Sequence, residues 1–412
     1  MLLYHLNEFK SASLWPAHLW SEANNLFLNA IPFDSRTPFR RIASASNEVL
    51  ERTTRIYNHP SFGIKKIEKN GKVVFVEEET IREKPFCTLK KFVRKNSKGK
   101  TIFEEEPLVL IVPPLSGHFA TLLRDTVATT LIDHNVVVMD WHDARLVPLK
   151  KGEFSLDTYV EYLLEFIEFL GTEIHIIAVC QPAVPVLMAV SILAARNSAK
   201  QPRSMVLMGG PIDTRVNPGK VNQFALDHKI EWFERNIVAK IPLYYQGAGR
   251  KVCPGFIMLN GFMTLNLERH QDASFDLFLN LVKGDLGHAE SHRKFYDEYR
   301  SVMDIPAEYF LDSLRYIFKE HALPLGNMTW NGQPIKPQAI KKTALMTVEG
   351  ELDDISCMGQ TLAAHNLCSN IPKSQKLDYV QKGVGHYGIF NGHRWRAEIY
   401  PEIRDFIIKN AT

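Results

Sequence analysis

The chain has 412 residues, 45% of them hydrophobic and 23% charged, and lysine plus arginine (49) exceed aspartate plus glutamate (46) by three. This composition is typical of a globular protein large enough for one core with a sizeable insertion, or for two domains. The charge forms no long basic block, which argues against a nucleic-acid partner. No apolar run is long enough to span a membrane, and the N-terminus lacks the pattern of a secretory signal. Five widely spaced cysteines form no paired motif, so we expect a cytoplasmic protein with free thiols.

The first third of the chain changes from helical to β-rich patterns. Residues 1–61 carry helical patterns and are assigned to an N-terminal helical segment. Short β-rich runs follow, and Asn70-Gly71 between two of them predicts a tight hairpin turn. The basic stretch 90–95, followed by Lys98 and Lys100, is interpreted first as the solvated end of a hairpin, with a surface-binding patch as the alternative.

From residue 107 onward, apolar strands alternate with amphipathic helices. The predicted strands are 108–112, 136–139, 174–179, 204–208, 343–348 and 376–380. Such continuous apolar strands separated by helices predict a mostly parallel, doubly wound α/β sheet. The alternation stops after Asp213 for about 125 residues of aromatic-rich, mainly helical sequence. We therefore assign residues 62–213 and 341–412 to an α/β core, and residues 214–340 to a cap inserted over the open end of the sheet.

A cysteine lies at the turn between a predicted strand and a helix. Cys180 follows strand 174–179, and Pro182 suits the first turn of the next helix. A helix N-terminus favours a thiolate, and this is the position of the nucleophile in an α/β-hydrolase fold. Cys180 can also be read as a buried residue at a strand end, because its small neighbours, Ala178 and Pro182, are not glycines.

Partners for the nucleophile follow in the order that an α/β-hydrolase fold requires. Asp353 lies in the segment just beyond strand 343–348, and His386 lies in a glycine-rich loop after the last strand. Each has an ordinary explanation alone, since aspartates are common in turns and the chain has 15 histidines. Asp353 is preferred to Asp354 because it comes first after its strand. The sequence therefore predicts a Cys180–Asp353–His386 triad in an α/β-hydrolase fold with a mainly helical cap.

An acyl-transfer site also needs donors for the oxyanion. One should be the backbone N–H of Gln181, and the second should come from loop 113–118. The two prolines of that loop cannot donate, which leaves Leu115 or Ser116. His118, in the same loop, is expected to line the pocket or to bind backbone. No metal-ligand spacing or phosphate-binding glycine loop is found, so no metal or cofactor is expected.

Eight stretches of the sequence resemble the intracellular poly(3-hydroxybutyrate) depolymerases of bacteria. They are 113–118 (PPLSGH), 123–125 (LRD), 140–145 (DWHDAR), 179–182 (VCQP), 208–213 (MGGPID), 295–299 (FYDEY), 349–354 (EGELDD) and 385–390 (GHYGIF). The resemblance implies hydrolysis of amorphous storage polyester by a catalytic cysteine, Cys180, with Asp353 as acid and His386 as base. It also implies two partners, the surface of intracellular polyhydroxyalkanoate granules and 3-hydroxyacyl oligomers.

Other functions remain open from sequence. A polyhydroxyalkanoate synthase would use the same triad, and thiolysis by coenzyme A would give an acyl-CoA product. The absence of glycines beside Cys180 favours degradation over synthesis. A general esterase or thioesterase is a further alternative, whereas an intact triad disfavours a non-catalytic granule-binding protein.

An insoluble granule cannot enter a closed pocket, so an apolar surface must contact it. The aromatic and apolar candidates in the cap are Trp232, Phe233, Tyr244, Tyr245, Phe256, Phe262, Met263, Phe275 and Phe278. Most of them should belong to the core, and the exposed ones are expected to contact polymer.

Overall fold

A computed structural model describes residues 2–30 and 37–411 of the chain. It begins with two helices, α1 (Leu2–Ala30) and α2 (Pro38–Thr54), which pack against each other. Both lie in the segment predicted to be helical, of which residues 1 and 31–36 fall outside the described residues. The division of the chain into domains stays a proposal.

One nine-stranded sheet organises the rest of the chain, in the order β1-β2-β3-β5-β4-β6-β7-β13-β14. Its strands are β1 (Lys66–Lys69), β2 (Lys72–Lys84), β3 (Cys87–Lys95), β4 (Leu108–Val112), β5 (Asn135–Trp141), β6 (Ile174–Val179), β7 (Ser204–Met208), β13 (Ala344–Gly350) and β14 (Lys376–Gln381). The pairs β1–β2, β2–β3 and β3–β5 are antiparallel, and the other five pairs are parallel.

Helices cover both faces of this sheet because its strands are apolar on both sides. They are α3 (Arg124–Thr130), α4 (Leu156–Leu170), α5 (Ala183–Ala195), α12 (Ala364–Leu367), α13 (Gly392–Arg394) and α14 (Tyr400–Lys409). Alternate residues of one strand belong to opposite cores: Leu110 and Val112 pack with α4 and α5, whereas Val109 and Ile111 pack with α3 and α14. The strand order and the alternation of strands and helices are those of an α/β-hydrolase fold, which confirms the predicted class.

The cap lies between β7 and β13 and is mainly helical. Its helices are α6 (Lys220–Asp227), α7 (Ile230–Asn236), α8 (Gly255–Leu265), α9 (Leu267–Lys283), α10 (Leu286–Arg300) and α11 (Ala307–Asp312). Its short strands are β8 (Ala239–Lys240), β9 (Lys251–Cys253), β10 (Ile305–Pro306), β11 (Thr329–Trp330) and β12 (Gln333–Pro334). Wider π-helical turns cover Ser313–Lys319 and Trp395–Ile399, and short 3₁₀ turns include Ala120–Leu123 and His386–Ile389. No helix among the described residues is both long and apolar enough to cross a bilayer.

The predicted hairpin turn is confirmed, but the interpretation of the basic stretch 90–95 is wrong. Asn70 and Gly71 connect β1 to β2 with φ angles of 52° and 71°, as a tight two-residue hairpin turn requires. Residues 90–95 belong to β3, an inner strand between β2 and β5. Their charges are compensated by residues distant in sequence, since Lys90 Nζ lies 2.8 Å from Asp140 Oδ2.

Two glycines after β7 let several elements approach one another closely. A Cβ at Gly210 would lie 2.1 Å from the Ala183 Cβ of α5 and 3.1 Å from the Cys180 carbonyl oxygen. At Gly209, which has a φ of 54°, a Cβ would lie 3.2 Å from the His386 ring and 3.3 Å from the Asp353 carboxylate. Only glycine fits both positions without displacement of these neighbours.

We predict that Gly210→Ala destabilises the fold by about 1–3 kcal/mol, because the added methyl group overlaps the Ala183 Cβ, which is attached directly to the backbone of α5 and cannot withdraw. Gly287→Ala is the matched control, since a Cβ there would meet only an Asp285 oxygen at 3.8 Å, an ordinary contact. Urea denaturation of the two variants measures the difference. Equal stabilities would contradict the close approach at Gly210.

Candidate active site

Cys180 occupies a strained turn between β6 and α5. Its φ angle is 70°, in a region that residues other than glycine seldom adopt. Its backbone N–H donates to the Met208 carbonyl oxygen at 2.7 Å, which holds the turn against the end of β7. A strained residue at a strand-to-helix turn is the geometry of a nucleophile elbow. The side chain of Cys180 lies on the wall of a large cavity.

The structure brings Asp353 and His386 into direct contact. His386 Nδ1–H donates to Asp353 Oδ2 at 2.7 Å, and both side chains are buried. The other carboxylate oxygen, Oδ1, accepts the backbone N–H groups of Ile355 and Ser356, each at 2.9 Å. With every oxygen engaged, the Asp353 carboxylate is fixed in orientation and fixes the imidazole in turn.

The charge state of His386 depends on its partners. Burial lowers the pKa of His386, but the charges of Asp353 and Cys180, and the hydrogen bonds with both, outweigh it and raise the pKa well above its usual range. The imidazolium is therefore favoured between a carboxylate and a thiol, as in a cysteine–histidine pair prepared for nucleophilic attack.

Asp354 faces away from this pair. Its side chain is exposed, and it accepts a hydrogen bond from the Asn266 side chain at the end of α8. Of the two adjacent aspartates, only Asp353 reaches the imidazole. This geometry supports the choice made from sequence.

A third carboxylate, Glu349, fixes the loop that presents Asp353. It is fully buried at the end of β13 and accepts the backbone N–H groups of Gly359, Thr361 and Leu362 at 2.8, 2.7 and 3.1 Å. Glu349 was not predicted from sequence to have a role at the site. A glutamate directly after a predicted apolar strand was the available signal, because a carboxylate that is buried at a strand end requires donors.

The backbone N–H groups that are predicted to bind the oxyanion are available to donate to a ligand. Within residues 2–30 and 37–411, no hydrogen bond engages the backbone N–H of Gln181, Leu115 or Ser116. Gln181 and Ser116 line the cavity, whereas the Leu115 side chain is packed in the core. The geometry favours Ser116 over Leu115, and the role of each residue stays a prediction.

Residues of the cap contact the loop that carries Leu115 and Ser116 and hold it in place. The Met303 N–H donates to the Gly117 carbonyl oxygen at 2.8 Å, and a Cβ at Gly117 would lie 2.9 Å from Met258 of α8. Burial lowers the pKa of His118 to about 4, so the ring is neutral, and its Nε2–H donates to the Tyr299 carbonyl oxygen at 3.1 Å. His118 thus lines the cavity and binds backbone, as expected from sequence.

Two further contacts join the cap to the catalytic loops. Gln181 Nε2–H donates to Ser313 Oγ at 3.3 Å, which connects the turn at Cys180 to the cap. Tyr387, beside His386, is hydrogen bonded to Tyr299 of α10, and burial together with Tyr299 raises the pKa of its phenol. Neither cap residue could be identified from sequence, because both contacts join segments more than 80 residues apart.

The cavity beside Cys180 has a volume of about 680 Å³ and a mainly apolar lining. The lining residues that are exposed to solvent all lie on two cap helices, α6 and α8: Lys220, Phe224, Asn260, Gly261 and Thr264. The mouth of the cavity therefore lies between α6 and α8. Its volume is in the range of sites that bind small organic ligands.

Comparison with known families agrees with this site. Residues 209–411, which include the cap, Asp353 and His386, match a family model described as PHB de-polymerase C-terminus. This part of the chain belongs to the PHB depolymerase family. The protein is accordingly a carboxylic ester hydrolase, and the family resemblance noted from sequence is confirmed.

Solved structures similar to this depolymerase-family chain are distant. A fungal esterase from Rhizomucor miehei has 11% identity and a TM-score of 0.47, with 94% of this chain and 95% of that chain covered. A monoacylglycerol lipase from Paleococcus ferrophilus has 13% identity and a TM-score of 0.44, with 79% and 99% covered. A thermophilic esterase from Thermogutta terrifontis has 12% identity and a TM-score of 0.43, with 82% and 99% covered. Similarities this weak say nothing about the substrate, and no curated protein matches the sequence.

No group of three or more histidine, cysteine, aspartate or glutamate side chains in the described part of the chain is arranged to hold a metal ion.

We predict that Asp353→Asn lowers both the pKa of His386 and the rate of ester hydrolysis, the rate by about 10³–10⁴-fold. The pKa should fall because Asp353 raises it while burial lowers it. A histidine pKa raised by folding contributes stability that is complete below about pH 6.5 and is lost as the pH rises through the folded value. The stability deficit of the variant should therefore shrink at alkaline pH.

NMR titration of the His386 ring, denaturation at several pH values and ester hydrolysis measure these effects. Asp354→Asn is the matched control, because this side chain is exposed and bound to Asn266. If Asp354→Asn were the more damaging change, the assignment of the acid would be wrong.

Proposed function

We propose that the chain is an intracellular depolymerase that hydrolyses ester bonds of poly(3-hydroxybutyrate) or a related polyhydroxyalkanoate. Cys180 is the nucleophile, His386 the base, and Asp353 the acid that orients the base. The observation that best supports this proposal is the meeting of Cys180, in a strained turn, with the buried His386–Asp353 pair on the wall of an apolar cavity.

Acylation begins when the thiol proton of Cys180 passes to His386, whose raised pKa favours the imidazolium. The sulfur attacks the ester carbonyl, and the oxyanion is stabilised by the backbone N–H of Gln181 and by that of Ser116 or Leu115. The intermediate collapses to a 3-hydroxyacyl thioester. The alcohol oxygen of the broken ester leaves with the proton that His386 returns.

Deacylation repeats these steps with water. His386 removes a proton from a water molecule, which attacks the thioester carbonyl. The C–S bond breaks, the thiolate of Cys180 and the imidazolium of His386 restore the starting pair, and the acyl fragment leaves as a carboxylic acid that loses its proton to solvent. Asp353 holds the imidazole in one orientation through both halves of the reaction.

The substrate is proposed from the family and from the cavity. A polyester of 3-hydroxy acids is neutral between its ends and presents methyl groups and ester oxygens, which suit an apolar lining. Access between α6 and α8 would admit a polymer chain from the surface of a granule in the cytoplasm.

We predict that Cys180→Ala abolishes ester hydrolysis while the protein stays folded. Cys357→Ala is the matched control, because Cys357 is the other cysteine that is not fully buried and it lies near Asp353 and His386. Release of 3-hydroxybutyrate oligomers from amorphous polymer measures the activity, and circular dichroism checks the fold. Substantial turnover by folded Cys180→Ala protein would exclude the proposed triad.

Analysis of the products with coenzyme A present separates hydrolysis, which gives free acids, from thiolysis, which gives acyl-CoA.

The cap residues proposed from sequence to contact the granule differ in exposure. Phe233 is buried, and only Tyr244 and Phe275 are well exposed, 61% each. The other six, Trp232, Tyr245, Phe256, Phe262, Met263 and Phe278, are partly buried. Tyr244 is hydrogen bonded to Glu8 of α1. Neither exposed residue lines the cavity, whereas Phe224, which the sequence analysis did not list, lines it and is 48% exposed.

We predict that Phe224→Ser lowers hydrolysis of amorphous granules several-fold more than hydrolysis of a small soluble ester, because Phe224 presents an apolar ring at the mouth of the cavity. Phe275→Ser is the control, since Phe275 is also exposed, even more than Phe224, but does not line the cavity. The ratio of the two activities is measured for each variant. An equal decrease of that ratio in both variants would assign granule contact to a broader surface of the cap.

A further inference from the structure

One charged side chain at the mouth of the cavity has no role in the reaction described above. Lys220 is the only lysine, arginine, aspartate or glutamate among the lining residues of the described chain. It is exposed, and none of the ion pairs or hydrogen bonds of residues 2–30 and 37–411 engages its ammonium group. A cation in this position binds most strongly to a ligand group that carries a negative charge.

The backbone of Lys220 is held rigidly next to the catalytic acid loop. The N–H of Gly219 donates to Asn222 Oδ1 at 2.8 Å, and Gln360 Nε2–H donates to the same oxygen at 3.1 Å. A Cβ at Gly219 would lie 2.7 Å from the Cys357 sulfur and 3.2 Å from the Asp354 carbonyl oxygen. These contacts hold the start of α6 in place. The backbone of Lys220 therefore has a defined position relative to Asp353 and the cavity.

We propose that Lys220 binds the terminal carboxylate of polyester oligomers, an inference that rests on the proposed function. A polyester of hydroxy acids carries one negative charge, at its carboxyl end. That end becomes a large part of the substrate only when the chain is short. Lys220 therefore makes the enzyme more effective on the free-acid oligomers that it releases from polymer.

The direction of the chain follows from the chemistry of the ester. In a chain of 3-hydroxyacyl units, the acyl side of each ester leads to the hydroxyl end and the alcohol side leads to the carboxyl end. Cys180 keeps the acyl side as a thioester. Lys220 at the mouth then holds the alcohol side, so the fragment that leaves first carries the terminal carboxylate.

A substrate pair tests this inference: a soluble 3-hydroxybutyrate trimer as the free acid, and the same trimer as its methyl ester. For wild-type protein, we expect kcat/KM to be higher for the acid.

Lys220→Met keeps the length of the side chain but removes its charge. This variant should lower the acid-to-ester ratio of kcat/KM about tenfold, through an increase in KM for the acid, because one charge-assisted contact is lost. Lys220→Arg should restore most of the ratio. Lys229→Met, at an exposed lysine of the same cap that does not line the cavity, should leave the ratio as in wild type.

The outcomes separate this inference from the function on which it rests. Hydrolysis of both trimers with an acid-to-ester ratio unchanged by Lys220→Met overturns carboxylate binding and leaves the depolymerase proposal intact. Absence of Cys180-dependent hydrolysis of either trimer, or of polymer, overturns the proposed function itself. An acceleration by coenzyme A that disappears in Lys220→Met would assign the lysine to a phosphate, and so overturns carboxylate binding as well.

Discussion

The site depends on the close approach of neighbouring chain segments to Gly209 and Gly210. At this point β7 ends, the helix after Cys180 begins, and the loop with His386 returns to the sheet, all within van der Waals contact of two residues without side chains. The nucleophile turn lacks glycines of its own, with Ala178 and Pro182 on either side of Cys180. The space it needs is supplied instead by Gly210, in the segment that follows the neighbouring strand β7, so the geometry of the turn is a tertiary property.

The cap takes part in forming the active site. It binds the oxyanion loop through Gly117 and His118, the nucleophile turn through Gln181, and the histidine loop through Tyr387. These contacts reach three catalytic loops that come from different strands. A movement of the cap would therefore change the positions of the proposed oxyanion donors and of the proposed base together, and so would couple access to the cavity with the proposed chemistry.

Sequence patterns predicted those features of the fold and of the site that depend on residues close together in the chain. The Asn70-Gly71 turn, the buried parallel strands and the strand-end positions of Cys180, Asp353 and His386 follow from periodicity and turn chemistry. The stretch 90–95 was misassigned because its charges are compensated across the sheet, by partners distant in the chain. Phe224 and Lys220 have no local signal either, since their position at the cavity mouth depends on how α6 packs against the core.

The charges of the site are arranged asymmetrically. The negative charge of Asp353 is buried and held by two backbone N–H groups and His386, and that of Glu349 is held by three backbone N–H groups. Both lie on the core side, whereas Lys220 lies at the exposed mouth. On the proposed substrate, a neutral polymer segment experiences little of this field as it enters. Every ester hydrolysis, however, creates a carboxylate, and the exposed ammonium group of Lys220 attracts that charge towards the mouth of the cavity.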